Sequence, residues 1–401
     1  MKLGIVREGK VPIDRRVALT PEQCKEVIKK YSNVEVKVQK SPLRCFKDSE
    51  YSKAGFEIVD SVADCDIILG IKEVPVSDLL SKKTYLFFSH TIKKQPYNRH
   101  LMITILNNKV KMIDYETLTD DKGIRVIAFG RFAGLVGAYN GIIGWGKRYG
   151  LFDLKPAYQC FDMAEMKSEF AKVKLPPIKI ALTGGGRVAK GAMETLEGMK
   201  IKQVSPSDFL KKEFKDAVFT QLNPGDYNEH KGGKKFEIAN FFSNPQDYKS
   251  TFAPFTKVTD MLIAGAYWDP KAPVLFTKED CKQEDFRIKL IADITCDIDG
   301  SIPSTKKAST IDTPFYDYMP EEDLITPAFS SRKNITVMAV DNLPNELPRD
   351  ASQSFGEQLI ENVLDNLLVK DDGMIERATI AEHGKLTDKY SYLKDYVAGL
   401  D

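Results

Sequence analysis

Ile178-Lys179-Ile180-Ala181-Leu182-Thr183-Gly184-Gly185-Gly186-Arg187-Val188-Ala189 is the stretch on which the fold turns. Its first six residues form an apolar, β-prone run suited to a buried strand, and the rest follow at once as GxGxxA. Val188, Ala192, Leu196 and Met199 then recur at roughly helical spacing. The glycines therefore sit between a strand and a helix N-terminus, where unpaired amides and the helix dipole favour an anion. The first glycine permits the turn, and the second lets backbone approach a pyrophosphate. Glycines alone say little, but strand, turn and helix in this order point to a dinucleotide-binding unit, with Gly184, Gly185, Gly186, Arg187 and Val188 at the phosphates.

Beyond the helix, residues 201–204 read as the next strand, the one whose end should grip the ribose 2′-hydroxyl with an acidic side chain. It closes on Val204-Ser205-Pro206 instead. Ser205 can bond a hydroxyl or a phosphate, so NAD and NADP both stay open.

Upstream, residues 2–6 read as a strand, and Thr20-Pro21-Glu22-Gln23 supplies an N-cap, a first-turn proline and a capping-box glutamine. Cys24, Val27, Ile28 and Tyr31 then share a helix face, and Val34, Val36 and Val38 alternate as in a strand. Further β-prone runs at 67–71, 85–88, 112–113 and 126–129 argue for an α/β domain with a mostly parallel sheet. A helix over about 131–146, with Gly137 and Gly141 for close packing, carries the chain into the second domain. Arg131 and Lys147 break the apolar run around it, leaving fewer than the roughly 20 residues a bilayer needs. Residues 226–248, polar and rich in Gly, Asn and Lys, read as an inserted surface loop.

A chain of 401 residues exceeds one ordinary core, so two domains with a cleft between them are expected. With 58 basic residues against 57 acidic, the net charge of +1 gives no reason to expect nucleic acid. The six cysteines lack paired zinc spacings and are too few for a disulfide scaffold, which reads as reduced thiols with no metal site. The start, MKLGIVREG, is too short and too charged for a signal peptide, so a cytoplasmic protein without a membrane partner is expected.

Ligands of open α/β sheets bind outside the carboxyl ends of the strands, which gives weight to polar residues closing apolar runs. Residues 67–71 end in Lys72-Glu73, 85–88 in Ser89-His90, and Met112-Ile113 leads to Asp114-Tyr115-Glu116. In the second half, 288–294 leads to Asp297 and 335–340 to Asp341-Asn342. A strand-end charge is often only the first solvated residue, a reading that serves Glu116 and Asp297 equally well. Lys72 and His90 are the stronger pair, because an amine and an imidazole can move protons near neutral pH. Arg16 and Arg125, more often surface charges, are candidates for gripping a carboxylate.

Several segments carry a resemblance. Arg16-Val17-Ala18-Leu19-Thr20-Pro21, Lys83 to Lys93 (KTYLFFSHTIK), Ile113-Asp114-Tyr115-Glu116 and Arg125 to Gly130 (RVIAFG) closely resemble the lysine-ketoglutarate reductase half of the bifunctional lysine-degrading enzyme. More loosely, they are similar to lysine-forming saccharopine dehydrogenase of fungi. The likeness runs through Gly184 to Gly191, Asp293 to Asp297 and Asp341 to Pro344, to Lys385 to Tyr390. RVALTP and GxGxxA are shared with alanine dehydrogenases and transhydrogenases, so FFSHTIK is the discriminating piece.

The resemblance implies two Rossmann-like domains with parallel sheets around an interdomain cleft: 1–136 with 347–401 for substrate, and 137–346 for the dinucleotide. It implies Lys72 and His90 as the acid-base pair, Arg16, Gln95, Arg125 and Phe129 lining the substrate site, and Glu116 and Lys93 tuning its charge. Thr295, Cys296 and Asp297 would meet substrate near the nicotinamide, while Tyr267, Ile294, Val340, Asp341, Asn342 and Leu343 would contact the cofactor. Ser205 is the departure, where relatives place an acidic residue. The activity implied is reductive condensation of L-lysine with 2-oxoglutarate to saccharopine using NAD(P)H, or the reverse, with Lys93 or Arg125 expected to depress the Lys72 pKa. Direction, exact amino acid and homo-oligomeric state stay open. The rivals are an alanine dehydrogenase, which needs one carboxylate clamp rather than two arginines, and a nucleotide-binding protein without chemistry.

Overall fold

In the computed structural model, which describes residues 1–400, the strands in chain order are β1 (Lys2–Ile5), β2 (Glu35–Gln39), β3 (Glu57–Val59), β4 (Ile67–Leu69), β5 (Thr84–Phe87), β6 (Lys111–Asp114), β7 (Lys179–Thr183), β8 (Lys202–Gln203), β9 (Val218–Leu222), β10 (Asn228–His230), β11 (Tyr248–Ser250), β12 (Met261–Ala264), β13 (Leu290–Asp293), β14 (Phe315–Met319), β15 (Leu324–Thr326), β16 (Ile335–Met338), β17 (Thr379–Glu382) and β18 (Lys385–Leu386). Four helices matter most: α1 (Pro21–Lys30), α2 (Gly130–Tyr149), α3 (Arg187–Gly198) and α4 (Pro348–Asn362). The chain divides into two units, Met1–Phe129 joined by the segment from Pro348 onward, and Gly130–Leu347.

The first unit holds an eight-stranded sheet in the order β18-β17-β6-β5-β4-β1-β2-β3. Its first six strands are parallel, whereas β17 and β18 are antiparallel additions from the end of the chain. Alternate residues enter two cores: Ile67, Leu69 and Leu86 on one face, Ile68, Tyr85 and Phe87 on the other. Both faces are thus covered, as parallel strands require. Thr20 and Gln23 form the capping box at the start of α1, and Gln23 also donates to the Gln353 carbonyl of α4 at 2.7 Å.

Residues 126–129 are not the strand their composition suggests. The antiparallel return of β17 already occupies the edge of β6, so this segment satisfies its backbone elsewhere. Val126 N donates to Leu118 O, and Ala128 N donates to Gln358 Oε1 of α4 at 3.0 Å.

The second unit holds a second eight-stranded sheet, β15-β14-β16-β13-β12-β7-β9-β8, parallel from β8 to β16 with an antiparallel β14-β15 edge. α2 crosses α3 so closely that a Cβ on Gly134 would collide with the Val188 carbonyl, and one on Gly191 with the Arg131 carbonyl. Gly141 lies against Ala292 and Gly137 against Ile294, so α2 is a packing helix of this unit. Among the described residues no helix is long and apolar enough to cross a membrane.

Residues 226–248 are more ordered than their polarity implies. They include β10, a short helix at Ile238–Ser243 and the start of β11, which pairs antiparallel with β10. Phe236, Phe241 and Tyr248 form an aromatic cluster that supplies the core such a hairpin needs.

Candidate active site

Four parallel strands of the first sheet end in polar groups that hold one another. Beyond β1, Glu8 accepts the Ile71 and Lys72 amides at 2.7 and 2.8 Å, fixing the turn after β4. Burial, with the Asp14 charge, pushes the Glu8 carboxyl up to about 8. Lys72 itself is brought down to about 8 by burial, then by the charges of Arg16 and Lys10. Arg16 and Lys10 are thus the leading cations in the field at Lys72, while Lys93 and Arg125 flank Glu116.

Next along the chain, Glu73 accepts His90 Nδ1 at 2.6 Å and Lys10 Nζ at 2.7 Å. Burial opposes the Glu73 charge, but the His90 hydrogen bond and charge and the Lys10 ammonium hold its carboxyl down at about 2. A carboxylate on Nδ1 sets the imidazole tautomer and leaves Nε2 as the working nitrogen. His90 adopts a left-handed φ of 53° just beyond β5, where its ring stacks on Phe88 with 18° between planes. The preceding Ser89 is anchored through its amide and hydroxyl to Asp114 Oδ2 at 3.0 and 2.5 Å. Asp114 also accepts the Glu116 amide at 2.7 Å, tying the ends of β5 and β6 together.

Glu116 pairs with Lys93 at 3.2 Å and Arg125 at 3.9 Å, and its Oε2 is buried without a hydrogen-bond partner. Arg125 lies over Phe88 at 5.2 Å, and Arg16 over Phe129 at 4.2 Å, with Phe129 stacked on Phe355. Phe88 also packs on Phe129, so one aromatic platform carries both guanidiniums. Arg16 is buried and donates Nε and Nη2 to Asp14 in a fork at 3.0 and 2.6 Å. Gln95 accepts the Tyr97 hydroxyl on its side chain and the Tyr396 hydroxyl on its carbonyl. Glu8, Lys10, Asp14, Glu73 and Asp114 escaped the sequence reading as site residues. Glu73 and Asp114 carried a signal, since both close apolar runs, and Asp14 lies two residues from its partner Arg16, whereas Glu8 and Lys10 find their partners on a distant strand end.

In the second unit, Gly184 has φ +107° and its amide donates to Leu222 O, and α3 begins at Arg187 behind Gly186, which has no side chain to cap it. Nothing stands within 4 Å of a Cβ position on Gly186, so the turn is open to a phosphate. A Cβ on Gly265, beyond β12, would lie 3.0 Å from Val188, which supports the turn from beneath. Tyr267 is exposed. Ile294 and Leu343 pack on α2 at Gly137, Val340 is buried, and Asp341 is exposed.

Asp293 organises the loop beyond β13, accepting Thr295 N and Oγ1, Cys296 N and Thr305 Oγ1. Cys296 has φ 55° and donates its thiol to Ala339 O, while burial pushes the thiol up to about 12. The polar atoms of Thr295 and Cys296 are thus engaged inside the unit, and Asp297 O accepts Gly300 N. Ser205 stands two residues beyond the end of β8. Its strand β8 is the outermost of the sheet, with β9 between it and β7, and its hydroxyl accepts the Asp208 amide at 3.1 Å.

Residues 4–136 match the family described as Alanine dehydrogenase/PNT, N-terminal domain. An L-alanine dehydrogenase structure superposes with a TM-score of 0.66 at 15% identity, covering both chains fully. The protein is thus a two-unit α/β chain with the alanine dehydrogenase fold. More particularly, it is a relative of the alpha-aminoadipic semialdehyde synthases and the lysine-forming saccharopine dehydrogenases. It is 31% identical over 98% of its length to alpha-aminoadipic semialdehyde synthase of Arabidopsis thaliana, and 29% identical over 98% to the mitochondrial enzyme of Mus musculus. The chain spans 41% and 47% of those relatives, about half their length or less. Saccharopine dehydrogenase [NAD(+), L-lysine-forming] of Neurospora crassa is 26% identical, with 88% of each chain covered.

Proposed function

We propose that the chain catalyses reductive condensation of the L-lysine ε-amine with the keto carbon of 2-oxoglutarate, giving saccharopine and water, or the reverse. The observation that carries this reading is Lys72 at about 8, with His90 clamped by Glu73 at the end of the adjacent strand. The relatives' names supply the substrate class, and that of the Neurospora enzyme the cofactor.

A nicotinamide dinucleotide, when bound, supplies the hydride. The glycine turn and the first amides of α3 fit its pyrophosphate. Lys72, whose deprotonated fraction grows as pH rises through its depressed pKa, accepts a proton from the substrate ammonium and makes the amine nucleophilic. His90 Nε2 gives a proton to the carbinolamine oxygen, which leaves as water, and Glu73 stabilises the imidazolium before transfer. Arg16 and Arg125 supply positive charge for the two carboxylates of the oxo acid. Glu116 offsets part of that charge, and Phe129 seats Arg16.

Loss of NADH and of NADPH absorbance, measured with L-lysine plus 2-oxoglutarate and with pyruvate plus ammonia, tests the proposal. Turnover with the lysine pair is expected. Turnover confined to pyruvate and ammonia would replace it with alanine dehydrogenation.

A further inference from the structure

The strand beside the glycine turn is not the strand that follows it in the chain. β9 pairs with β7 along all five of its residues, whereas β8 pairs with β9 and stands at the sheet edge. The end of β9 reaches the turn directly: Gln221 Nε2 donates to Gly184 O at 2.9 Å, and Asn223 Oδ1 lies 2.6 Å from a Cβ position on Gly185. A pyrophosphate seated on the turn leaves the adjoining ribose about one strand spacing away, roughly 4.8 Å, which is where β9 ends. Ser205 follows β8, one strand further from the turn.

A pocket at the same end of the sheet is an independent observation. Thr183 of β7 and Ala264 of β12 line its base, and these strands flank the point where the strand order reverses, the usual ligand crevice of such sheets. Tyr227, Phe241 and Phe242, from the segment after β9, and Trp268, from the loop after β12, wall it with flat aromatic surfaces suited to a purine.

We propose that the adenosine half of the dinucleotide is held by Gln221 and Asn223 at the end of β9, with its base in this aromatic pocket, and that Ser205 takes no part. The assignment rests on the dinucleotide reading above. Each amide offers both a donor and an acceptor to the ribose, and the nearby Asp226 carboxylate is engaged by the Asn223 backbone amide at 2.7 Å. The strand that adjoins β7, and not the one that follows the turn in the chain, then reads the adenosine.

Calorimetric titration of the full chain with ADP-ribose and with its 2′-phosphate tests this without turnover. Both are expected to bind. Asn223→Asp, which keeps a good helix cap, should weaken the 2′-phosphate form relative to ADP-ribose by about tenfold through like-charge repulsion. Phe242→Ala should weaken both alike, and Ser205→Ala should leave both within about twofold, as for a residue outside the site. Weakening by Ser205→Ala, with Asn223→Asp and Phe242→Ala without effect, would return the ribose to β8 and overturn the assignment. If neither ligand binds the unaltered chain, the dinucleotide reading itself fails and takes this assignment with it.

Discussion

The carboxyl ends of the two sheets are furnished differently. In the first unit they carry Glu8, Lys72, Glu73, His90, Asp114 and Glu116, several held by charge-assisted hydrogen bonds and with carboxyl or amine pKa values displaced by burial or by charged partners. In the second they present a bare glycine turn, the amides of Gln221 and Asn223, and loops whose hydroxyl and thiol groups bond inward. One end is equipped to move protons, the other to let backbone approach a ligand. Substitutions should therefore act by charge in the first unit and by shape in the second.

The largest expected effect is steric. Gly134→Leu would drive a side chain into the Val188 carbonyl where α2 crosses α3. Overpacking usually costs about 1–3 kcal/mol, and more where backbone is struck, so thermal unfolding should show the second unit lost or its midpoint far lowered. An unchanged midpoint would mean that the two helices do not need their glycines.

Next comes Lys72→Ala, for which kcat at saturating substrates should fall by about 10²–10⁴-fold, the usual contribution of a positioned proton-transfer group. Full activity would remove Lys72 from the chemistry. Glu73→Gln keeps the shape beside His90 but withdraws the charge, and kcat should fall by roughly tenfold or more with KM for either substrate little changed. A change confined to KM would make Glu73 a substrate contact.

The smallest effect is a shift in pH. Activity in the condensing direction should rise with pH through about 8, as Lys72 loses its proton. Lys10 is one of the cations that lower this pKa, so Lys10→Met raises it toward the ordinary lysine value and moves the rising limb to higher pH. A limb that stays in place in the pH–rate profile would show that the field comes from elsewhere.

Local chemistry explains what was legible in the sequence. The Thr20 to Gln23 cap, the runs at β4, β5, β6 and β7, and the glycine turn each follow from a few neighbouring residues, and Lys72 and His90 followed because they close such runs. What was missed depends on distant partners. Residues 126–129 have strand composition, yet β17 takes the edge they would need. Lys10 reveals its role only once Glu73 and Lys72 stand beside it. Ser205 reads as the ribose position because its strand comes next in the chain; β9, unread in the sequence, stands between that strand and β7, which is the ground for the proposed reassignment.

The most direct measurement is the mass of the product formed by the purified chain from L-lysine, 2-oxoglutarate and reduced nicotinamide dinucleotide, compared with that from Lys72→Ala. The expected result is a species with the combined mass of both substrates less water plus two hydrogens, strongly diminished in the variant. Absence of that species with the unaltered chain, or its equal formation by Lys72→Ala, would contradict the proposed chemistry.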